Sequence, residues 1–368
     1  MMSNQEKVEE NNQMEETQVD VAQCPGCGAN IAFDPDSQML KCEYCGTTVD
    51  FEKTQSTEKQ SIQKLADNRD NWKSETNMYS CAGCGAVEIL HKSEIAKECP
   101  YCRSTNIVAV SGLSGVKPDA VLPFGLDKQS ASDVAQKWVV KKFFAPKVFK
   151  KSFESKNLRG VYNPAFVFDS DTFSKYHGQL GKHYTTVRKV NGRTETVTHT
   201  RWFNVSGTHY EKYQDVTIQA CEKISVNSMS KIAPFDVTQA SIYTDNFLQG
   251  FQANHYQKDG LKCWDDAKVL INRQTDKRIM QSLRSKYHFD VVGRFKIDTH
   301  CYNINYEYTL LPVYVGHCNY GKKDYNYFIN GYTGKIFGKT PVSKGKVSLL
   351  FGLGAVLLAA AALAIFFI

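Results

Sequence analysis

Two stretches of equal length decide the fold, namely CPGCGANIAFDPDSQMLKCEYC at residues 24–45 and CAGCGAVEILHKSEIAKECPYC at residues 81–102. Both follow the pattern C-x2-C-x14-C-x2-C, so the second stretch repeats the first at an offset of 57 residues. Each C-x-x-C pair brings two sulfurs onto one turn, and two pairs complete a shell of four thiolates around a metal ion. The sequence therefore predicts two metal sites, whose ligands are Cys24, Cys27, Cys42 and Cys45 in the first stretch and Cys81, Cys84, Cys99 and Cys102 in the second.

The donor set favours two structural zinc ions (Zn2+). Soft thiolates suit zinc, and four protein ligands leave no open position for water or a substrate. An iron–sulfur cluster also uses four cysteines and is the alternative, but two equal ribbons with this loop length favour zinc. Five glycines are predicted to supply the positive backbone angles that such turns require, namely Gly26, Gly28, Gly46, Gly83 and Gly85.

The other four of the 12 cysteines are isolated in the sequence, at Cys221, Cys263, Cys301 and Cys318. The pairs His300-Cys301 and His317-Cys318 could in principle form a third site. Both pairs lie in strand-like segments flanked by aromatic residues, where cysteine commonly acts as a small buried apolar side chain. The sequence favours that structural role.

Composition and charge limit the classes of protein to which the chain can belong. A chain of 368 residues suggests two or three domains, and 42% hydrophobic residues exclude a mainly disordered chain. The net charge is +7, but residues 1–20 carry −5, so the remainder carries +12. A mildly basic body suits an anionic membrane surface or nucleic acid. The acidic N-terminus lacks an apolar run and predicts no signal peptide, and paired cysteines predict a reducing compartment.

Residues 347–368 (VSLLFGLGAVLLAAAALAIFFI) carry no charge over 22 positions. As a helix they would span about 33 Å, close to the hydrocarbon thickness of about 30 Å, whereas a buried core helix usually keeps a polar face. The segment is therefore predicted to be a single transmembrane tail anchor. Lysines lie just before it and none after it, which predicts a cell-membrane protein with the bulk of the chain in the cytoplasm. Small residues at Ala355/Ala359 and Ala360/Ala364 would let two spans pack, so an oligomer is possible.

The predicted fold class is α+β, with two small four-cysteine zinc ribbons, an antiparallel-sheet α+β domain and one C-terminal transmembrane helix. The predicted divisions are a disordered acidic tail at 1–21, zinc ribbon 1 at 22–50, a polar linker at 51–78, zinc ribbon 2 at 79–106, the α+β domain at 116–342 and the transmembrane helix at 347–368.

Within 116–342, the apolar spacing predicts helices at 131–144, 236–256 and 265–287, with Ser130 and Asp265 capping the first and the last. A hairpin is predicted at 182–201, turning at Asn191-Gly192. The C-terminal part predicts separate strands at 295–304, 306–315, 325–329 and 335–337.

Catalytic motifs are absent from the sequence, which contains no H-E-x-x-H, no G-x-S-x-G and no dinucleotide fingerprint. The GYTGK stretch at 331–335 is similar to a phosphate loop, but Ile336 stands where the metal-binding hydroxyl belongs. These observations predict a protein that is not an enzyme. An uncharacterised activity in 116–342 is the alternative.

Residues 137–159 carry eight basic residues against Glu154 alone, with five aromatic residues between them. This stretch is either a solvated helix face with core aromatics or a contact for anionic headgroups or phosphates.

The net charges of the two predicted zinc ribbons indicate the kind of partner, because residues 22–50 carry a net charge of −3 and residues 79–106 carry a net charge of zero. Neither ribbon has the basic surface that phosphate binding needs, which makes nucleic acid unlikely and favours protein contacts.

Several later motifs are similar to those of a known family. They are Val121-Leu122-Pro123-Phe124, Gly160-Val161-Tyr162-Asn163-Pro164, Leu310-Leu311-Pro312-Val313-Tyr314 and Asn330-Gly331-Tyr332-Thr333-Gly334-Lys335. With the two ribbons and the terminal apolar segment, the chain resembles the membrane-anchored double zinc-ribbon proteins of Gram-positive bacteria, often labelled primosomal or replication-restart proteins. The resemblance implies partnership with an SPFH-domain (flotillin-like) protein and a PspA-like membrane-stress protein.

The leading hypothesis from the sequence is a non-enzymatic adaptor held at the lipid bilayer, which recruits cytoplasmic partner proteins to the inner face of the membrane. The rival hypothesis is a membrane-tethered zinc-ribbon protein that binds nucleic acid, based on the ribbons and the basic stretch 137–159.

Overall fold

The computed structural model of the chain describes most of the sequence between residues 23 and 348. The described residues are 23–56, 58–67, 76–91, 96–110, 116–151, 153, 158–190, 193–321, 323–343 and 345–348, together with 352 and 358. The predicted acidic tail at 1–21 lies outside them, as does the predicted transmembrane helix apart from 347, 348, 352 and 358. None of the helices in the described part combines the length and the apolar character needed to cross a bilayer.

The named elements of the described residues are fifteen strands, five α-helices and two short 3-10 helices (Val237–Gln239 and Asp245–Leu248). The strands are β1 (Ala32–Asp34), β2 (Met39–Lys41), β3 (Thr48–Val49), β4 (Gln60–Ser61), β5 (Thr76–Cys81), β6 (Val87–His91), β7 (Ile107–Ala109), β8 (Ala120–Val121), β9 (Leu158–Val190), β10 (Arg193–Gln219), β11 (Ser241–Ile242), β12 (Gln252–Asn254), β13 (Val291–Tyr320), β14 (Lys323–Asn330) and β15 (Ile336–Gly338). The helices are α1 (Lys64–Asp67), α2 (Lys128–Val140), α3 (Lys147–Lys151), α4 (Val226–Ile232) and α5 (Gly260–Tyr287).

Two sheets organise the described residues. Strands β1, β2 and β3 form a small antiparallel sheet, and the other twelve strands form one large sheet built on β9 and β13. The large sheet is mixed, because β12 runs parallel to β9 and β8 runs parallel to β13. The sequence predicted an antiparallel sheet, and these two short parallel pairs are the difference. The result is a sheet-rich α+β fold.

Three long strands, β10, β9 and β13, extend from the main core as an antiparallel ribbon. Helix α5 packs across them through a separate small core of Leu180, Val205, Ile279, Leu283 and Phe289. The pairing of Val190 with Arg193 matches the predicted two-residue hairpin, although Asn191 and Gly192 themselves lie outside the described residues. Beyond Gly181, the β9 side chains up to Lys189 are exposed, so the hairpin projects into solvent.

The predicted gap between the strands at 295–304 and 306–315 is a β-bulge within one strand. Strand β13 runs without interruption, but its pairing with β9 shifts between Tyr302 and Asn305. Asn303 adopts a left-handed φ of 50° there, a conformation that asparagine tolerates better than most residues. The separate strands predicted at 295–304 and 306–315 are therefore one strand with a local kink.

The first and last predicted helices exist, but each begins earlier than the sequence indicated. Helix α2 begins after Asp127, whose carboxylate accepts the Ser130 N–H at 2.7 Å. Helix α5 begins after Asp259, whose carboxylate accepts the Lys262 N–H at 2.8 Å. Both caps are aspartates that lie upstream of the predicted caps Ser130 and Asp265. Helix α5 ends at the predicted residue, where His288 adopts a left-handed φ of 49°.

The prediction of a helix at 236–256 is wrong. The segment forms two short 3-10 turns and strands β11 and β12, and its large apolar residues Phe247, Leu248 and Phe251 point into the main core. Pairing with β8, β6 and β9 satisfies backbone groups that a helix would have bonded internally.

The predicted linker is tied into the large sheet. Strand β4 pairs with β13, and the Lys59 ammonium donates to Asp169 at 2.5 Å and to Asp215 at 2.6 Å. Gln60 Nε2 donates to the carboxylate of Asp119 at 2.7 Å. Side-chain contacts therefore hold residues 58–61 against the long strands.

The stability of the fold should depend on pH through Asp119. The pKa of Asp119 is raised from its ordinary 3.8 to about 6, chiefly by burial and to a smaller degree by the nearby Glu307, although the Tyr308 N–H lowers it. Between these values the folded chain holds a proton that the unfolded chain releases, so stability falls as pH rises from about 4 to about 6. The difference corresponds to about 3 kcal/mol.

We expect the Asp119→Asn variant to lose this part of the pH dependence. The measurement is the free energy of unfolding of both proteins between pH 4 and pH 7. The same substitution at the exposed Asp133 of α2 is the matched control and should follow the wild-type profile. Parallel profiles for wild type and Asp119→Asn would contradict the expectation.

Candidate metal centres

The structure brings the eight predicted cysteines together in two groups of four, one within residues 24–45 and the other within 81–102. In the first group, the Cys24 and Cys45 sulfurs lie 3.3 Å apart, and the Cys27 and Cys42 sulfurs lie 3.6 Å apart. In the second group, the corresponding distances are 3.5 Å for Cys81 and Cys102 and 3.6 Å for Cys84 and Cys99.

These distances fit a metal ion better than disulfides. In a tetrahedron with Zn–S bonds of about 2.3 Å, neighbouring sulfurs lie about 3.8 Å apart, whereas a disulfide requires about 2.05 Å. Within each group all four sulfurs lie within 4.8 Å of one another, and all eight thiols are free. Each group could therefore hold one metal ion through four protein ligands.

The backbone of each C-x-x-C turn follows the repeat closely. The Gly28 N–H donates to the Cys24 carbonyl at 2.8 Å, and the equivalent Gly85 N–H donates to the Cys81 carbonyl at 2.8 Å. Gly28, Gly46 and Gly85 have left-handed φ angles of 74°, 75° and 67°. Three of the five predicted glycines therefore provide positive φ angles.

Gly26 and Gly83 do not have positive φ, which corrects the prediction for these two residues. They are small because space is short: a Cβ on Gly26 would lie 2.9 Å from Thr47 Oγ1, and one on Gly83 would lie 3.1 Å from Ser104 Cβ. The fourth left-handed turn residue is Arg103, with φ of 60°, at the position equivalent to Gly46.

The cysteines of the first group differ in how readily they form the thiolate. Hydrogen bonds from the side chain and the backbone of Thr47 lower the pKa of Cys45 to about 6. A lower pKa increases the thiolate fraction near neutral pH, and the thiolate is the form that binds metal. Cys45 therefore favours the thiolate, whereas the pKa of Cys27 is raised to about 12: the Ala29 backbone lowers it, but side-chain hydrogen bonds with Cys45 and Cys42 raise it more.

Glu88, which no motif in the sequence marks, lies against the second group. Its side chain is 1% exposed on β6, and among the described residues neither carboxylate oxygen accepts a hydrogen bond from a nitrogen or oxygen donor. Burial raises the pKa of Glu88 to about 7, while the Cys99 thiol lowers it. The sequence of β6 gives no signal that Glu88 is buried, because Glu88 stands between the apolar residues Val87 and Ile89 and would be expected on the opposite face of the strand; only the tertiary structure shows what covers it.

The second cysteine region is joined to the large sheet. Strand β5 pairs with β6 and β7, and β6 pairs with β12, which in turn pairs with β9. Lys223 Nζ donates to the Cys84 carbonyl at 2.6 Å, and Arg159 forms an ion pair with Glu98. This metal centre therefore lies in the same hydrogen-bonded sheet as the main core.

The first cysteine region has its own sheet and meets the core through side chains. Phe33 of β1 packs on Phe247 with ring centroids 5.4 Å apart and on Phe251 at 6.3 Å. The Phe33 N–H donates to the Gln249 carbonyl at 3.0 Å, and Gln38 Nε2 donates to the Phe124 carbonyl at 2.8 Å. One face of the region is thus buried on the core.

The two regions differ at equivalent tyrosines. Tyr44 lies between two ligands of the first group and is 84% exposed. Tyr101, 57 residues later, is 7% exposed and accepts a hydrogen bond from Asn254 Nδ2 of β12. The second region therefore uses this position to dock on the core, whereas the first region presents it to solvent.

The other candidate sites are not assembled. Cys301 and Cys318 lie 17 residues apart on β13, which separates them by roughly 55 Å along a strand. Both ring nitrogens of His317 contact asparagine side chains, with Nδ1 lying 2.8 Å from Asn326 Oδ1. Cys221 and Cys263 are buried.

The GYTGK stretch is a tight turn between β14 and β15 rather than a phosphate loop. The side-chain oxygen of Asn330 accepts the N–H groups of Tyr332 at 2.9 Å and Thr333 at 3.0 Å. Lys335 Nζ donates to the Ala233 carbonyl. The backbone donors that a phosphate would need are therefore used inside the protein.

Together, the sheet-rich α+β fold and the two four-cysteine groups define a protein with two candidate metal centres. No protein-family model matches the chain, and no solved structure matches it either. The chain is similar to the uncharacterized protein YdjG of Bacillus subtilis (strain 168), with 28% identity over 330 residues. The alignment covers 89% of this chain and 92% of that protein, so the likeness extends over nearly the whole of both.

Proposed function

We propose that this chain is a non-enzymatic adaptor that binds two structural zinc ions, is anchored in the cell membrane by residues 347–368, and recruits cytoplasmic partners to the inner face of the membrane. The observation that carries the proposal is the closed donor set, since four cysteines per group leave no ligand position for a reacting molecule. The charge-free segment 347–368 and the resemblance noted in the sequence supply the membrane part of the proposal.

The partners proposed are an SPFH-domain protein and a PspA-like protein, both on the basis of the family resemblance. Ribbon 1 is the better candidate for their docking site. Its Tyr44 is 84% exposed at the metal turn, and tyrosine is one of the residues that most often anchor protein interfaces. Residues 22–50 also sum to −3, which disfavours phosphate as the partner.

Localisation of a fluorescent SPFH-domain partner in cells tests this function. With the full-length chain the partner should lie at the membrane, and it should become diffuse when residues 347–368 are deleted. A membrane-confined adaptor raises the effective concentration of its partner, so even a weak contact gives visible recruitment. Unchanged partner localisation after the deletion would contradict the proposal.

The Tyr44→Ala variant separates docking from anchoring. It leaves the metal ligands and residues 347–368 intact, so the chain itself should stay at the membrane while the partner is released. Tyr210→Ala is the matched control, because Tyr210 is also exposed, at 67%, but lies on the long strand β10, away from ribbon 1 in the sequence. Release by both variants would show that the effect does not report a contact with ribbon 1.

The rival function is nucleic-acid binding, which the lysine-rich segment 137–151 favours. Its signature is a steep fall of affinity with salt, because each phosphate contact releases a counterion. DNA binding by the intact chain with such a slope, together with unchanged partner localisation, would replace the adaptor proposal.

A further inference from the structure

The turn between α2 and α3 exposes four large apolar side chains close together in the sequence. Val140, Phe143, Phe144 and Val148 are 65%, 63%, 38% and 72% exposed. Their neighbours Val139 and Phe149 are buried, so the core already has its own apolar residues in this segment. An exposed apolar cluster of this kind usually marks a contact surface.

The same segment is strongly basic. The described residues 137–151 contain six lysines and no acidic residue, and five of these lysines are exposed, namely Lys137, Lys141, Lys142, Lys147 and Lys151. Apolar side chains beside lysines, without an acidic residue among the described residues 137–151, are typical of segments that lie in the interface of an anionic bilayer.

The chain that leads into residues 347–368 packs on this turn. The Ser343 N–H donates to the Phe144 carbonyl at 2.8 Å. Lys346 Nζ donates to the carbonyls of Phe143 at 2.7 Å and Ala145 at 2.9 Å, and it lies 5.5 Å from the Phe143 ring centroid. Residues 343 and 346, which immediately precede the apolar segment, therefore pack on the α2–α3 turn.

We infer that the α2–α3 turn, residues 140–148, is a membrane-contact surface that takes an anionic phospholipid leaflet. Phe143, Phe144 and Val148 enter the boundary between headgroups and acyl chains, and the surrounding lysines bind the acidic headgroups. This inference rests on the membrane anchoring in the proposed function and adds a second contact to it.

The position of the turn favours lipid over other occupants. If residues 347–368 span the membrane, a turn hydrogen-bonded to residues 343 and 346 lies within a few residues of the headgroups. The exposed rings of Phe143 and Phe144 could stack on bases as well as enter acyl chains, so the hydrogen bonds to residues 343 and 346, rather than the chemistry of the side chains, favour lipid. With two contacts, the body is held in one orientation instead of rotating about a single anchor.

The test places a tryptophan on the surface of the intact chain, reconstituted into lipid nanodiscs. A Val148→Trp variant reports contact with acyl-brominated phospholipid by fluorescence quenching. Val187→Trp is the matched control, since Val187 is 67% exposed but lies in the projecting part of β9, 29 residues beyond Leu158. We expect added quenching for Val148→Trp in discs that contain phosphatidylglycerol, and none for Val187→Trp.

The charge requirement is tested by a double substitution in the Val148→Trp background. Lys147→Gln with Lys151→Gln should weaken the surface contact about 25-fold, since each lysine near an anionic membrane contributes about a fivefold factor. The equal charge change Lys182→Gln with Lys189→Gln, on the projecting hairpin, should have no effect. The measurement is the fraction of phosphatidylglycerol that gives half-maximal quenching.

Each outcome decides between the two proposals. If the chain enters the discs but the Val148→Trp fluorescence is not quenched, the anionic-lipid surface is overturned and the anchored adaptor stands. The same conclusion follows if the quenching is equal in phosphatidylcholine discs. Failure of the intact chain to enter discs of either composition would overturn both. Protection of residues 140–148 from hydrogen exchange by duplex DNA, without any effect of anionic lipid, would assign the surface to nucleic acid instead.

Discussion

Removal of metal from the intact chain should unfold both cysteine regions, and the loss of structure should spread further from the second region than from the first. Structural zinc contributes apparent binding free energies of about 10–16 kcal/mol in small zinc-binding peptides, so the ribbons should not stay folded without it. The reduced protein should hold two zinc ions, and a strong chelator should remove both.

The spread follows from the hydrogen bonding of each region. Strand β6 of the second region pairs with β12, and β12 pairs with β9 of the main core. The first region instead pairs its strands only with one another among the described elements. Loss of the second metal should therefore expose the amides of residues 252–254, whereas loss of the first should expose mainly residues 32–49.

Two equivalent substitutions separate these effects. Cys42→Ser and Cys99→Ser, 57 residues apart, should each leave one zinc ion per chain, because the groups share no ligand. Only Cys99→Ser should accelerate hydrogen exchange in β12. Cys301→Ser is the control, since Cys301 is a half-buried cysteine outside both groups and should keep two ions.

Metal analysis and hydrogen-exchange mass spectrometry measure these outcomes. One ion or none in the reduced wild-type protein would contradict the assignment of two zinc sites, and so would the visible absorbance of an iron–sulfur cluster. Protected β12 amides after Cys99→Ser would show that the second region is not coupled to the core through the sheet.

The candidate sites were predictable because metal ligation leaves a fixed spacing in the sequence. C-x-x-C at equal intervals is a local pattern, and the chain needs only to fold back once to bring four sulfurs together. The same holds for the hairpin, where Asn191-Gly192 indicates a two-residue turn and the structure pairs Val190 with Arg193.

The predictions from the sequence were wrong where tertiary contacts outweigh local conformational preference. Apolar residues at 247, 248 and 251 repeat with helical spacing, yet their side chains fill the core beneath ribbon 1 from short turns and strand edges. The length of β9 was equally hidden, because its exposed end beyond Gly181 lacks the apolar alternation that indicates a half-buried strand. The buried position of Glu88 beside Cys99 likewise depends on how the strands pack.

Replacement of Phe124 by alanine should be among the most destabilising single changes outside the metal sites. Phe124 is fully buried and stacks on Phe251 with ring centroids 4.2 Å apart and an interplanar angle of 15°. It also contacts Tyr314 at 4.8 Å and Tyr162 at 5.0 Å. Removing a phenyl ring from such a position costs about 3–5 kcal/mol, because the surrounding aromatic residues cannot close the cavity.

The effect should reach ribbon 1 without touching its metal. Phe251 lies between Phe124 and Phe33 of β1, so a cavity at Phe124 removes support from the surface on which ribbon 1 rests. Phe124→Ala should therefore lower the urea midpoint and accelerate hydrogen exchange in residues 32–41 while the protein keeps two zinc ions.

Phe143→Ala is the matched control. Because Phe143 is 63% exposed, this change should alter the free energy of unfolding by no more than about 0.5 kcal/mol. Equal midpoints for the two variants would show that Phe124 does not join ribbon 1 to the core, and loss of a zinc ion from Phe124→Ala would show that the first metal site depends on this packing.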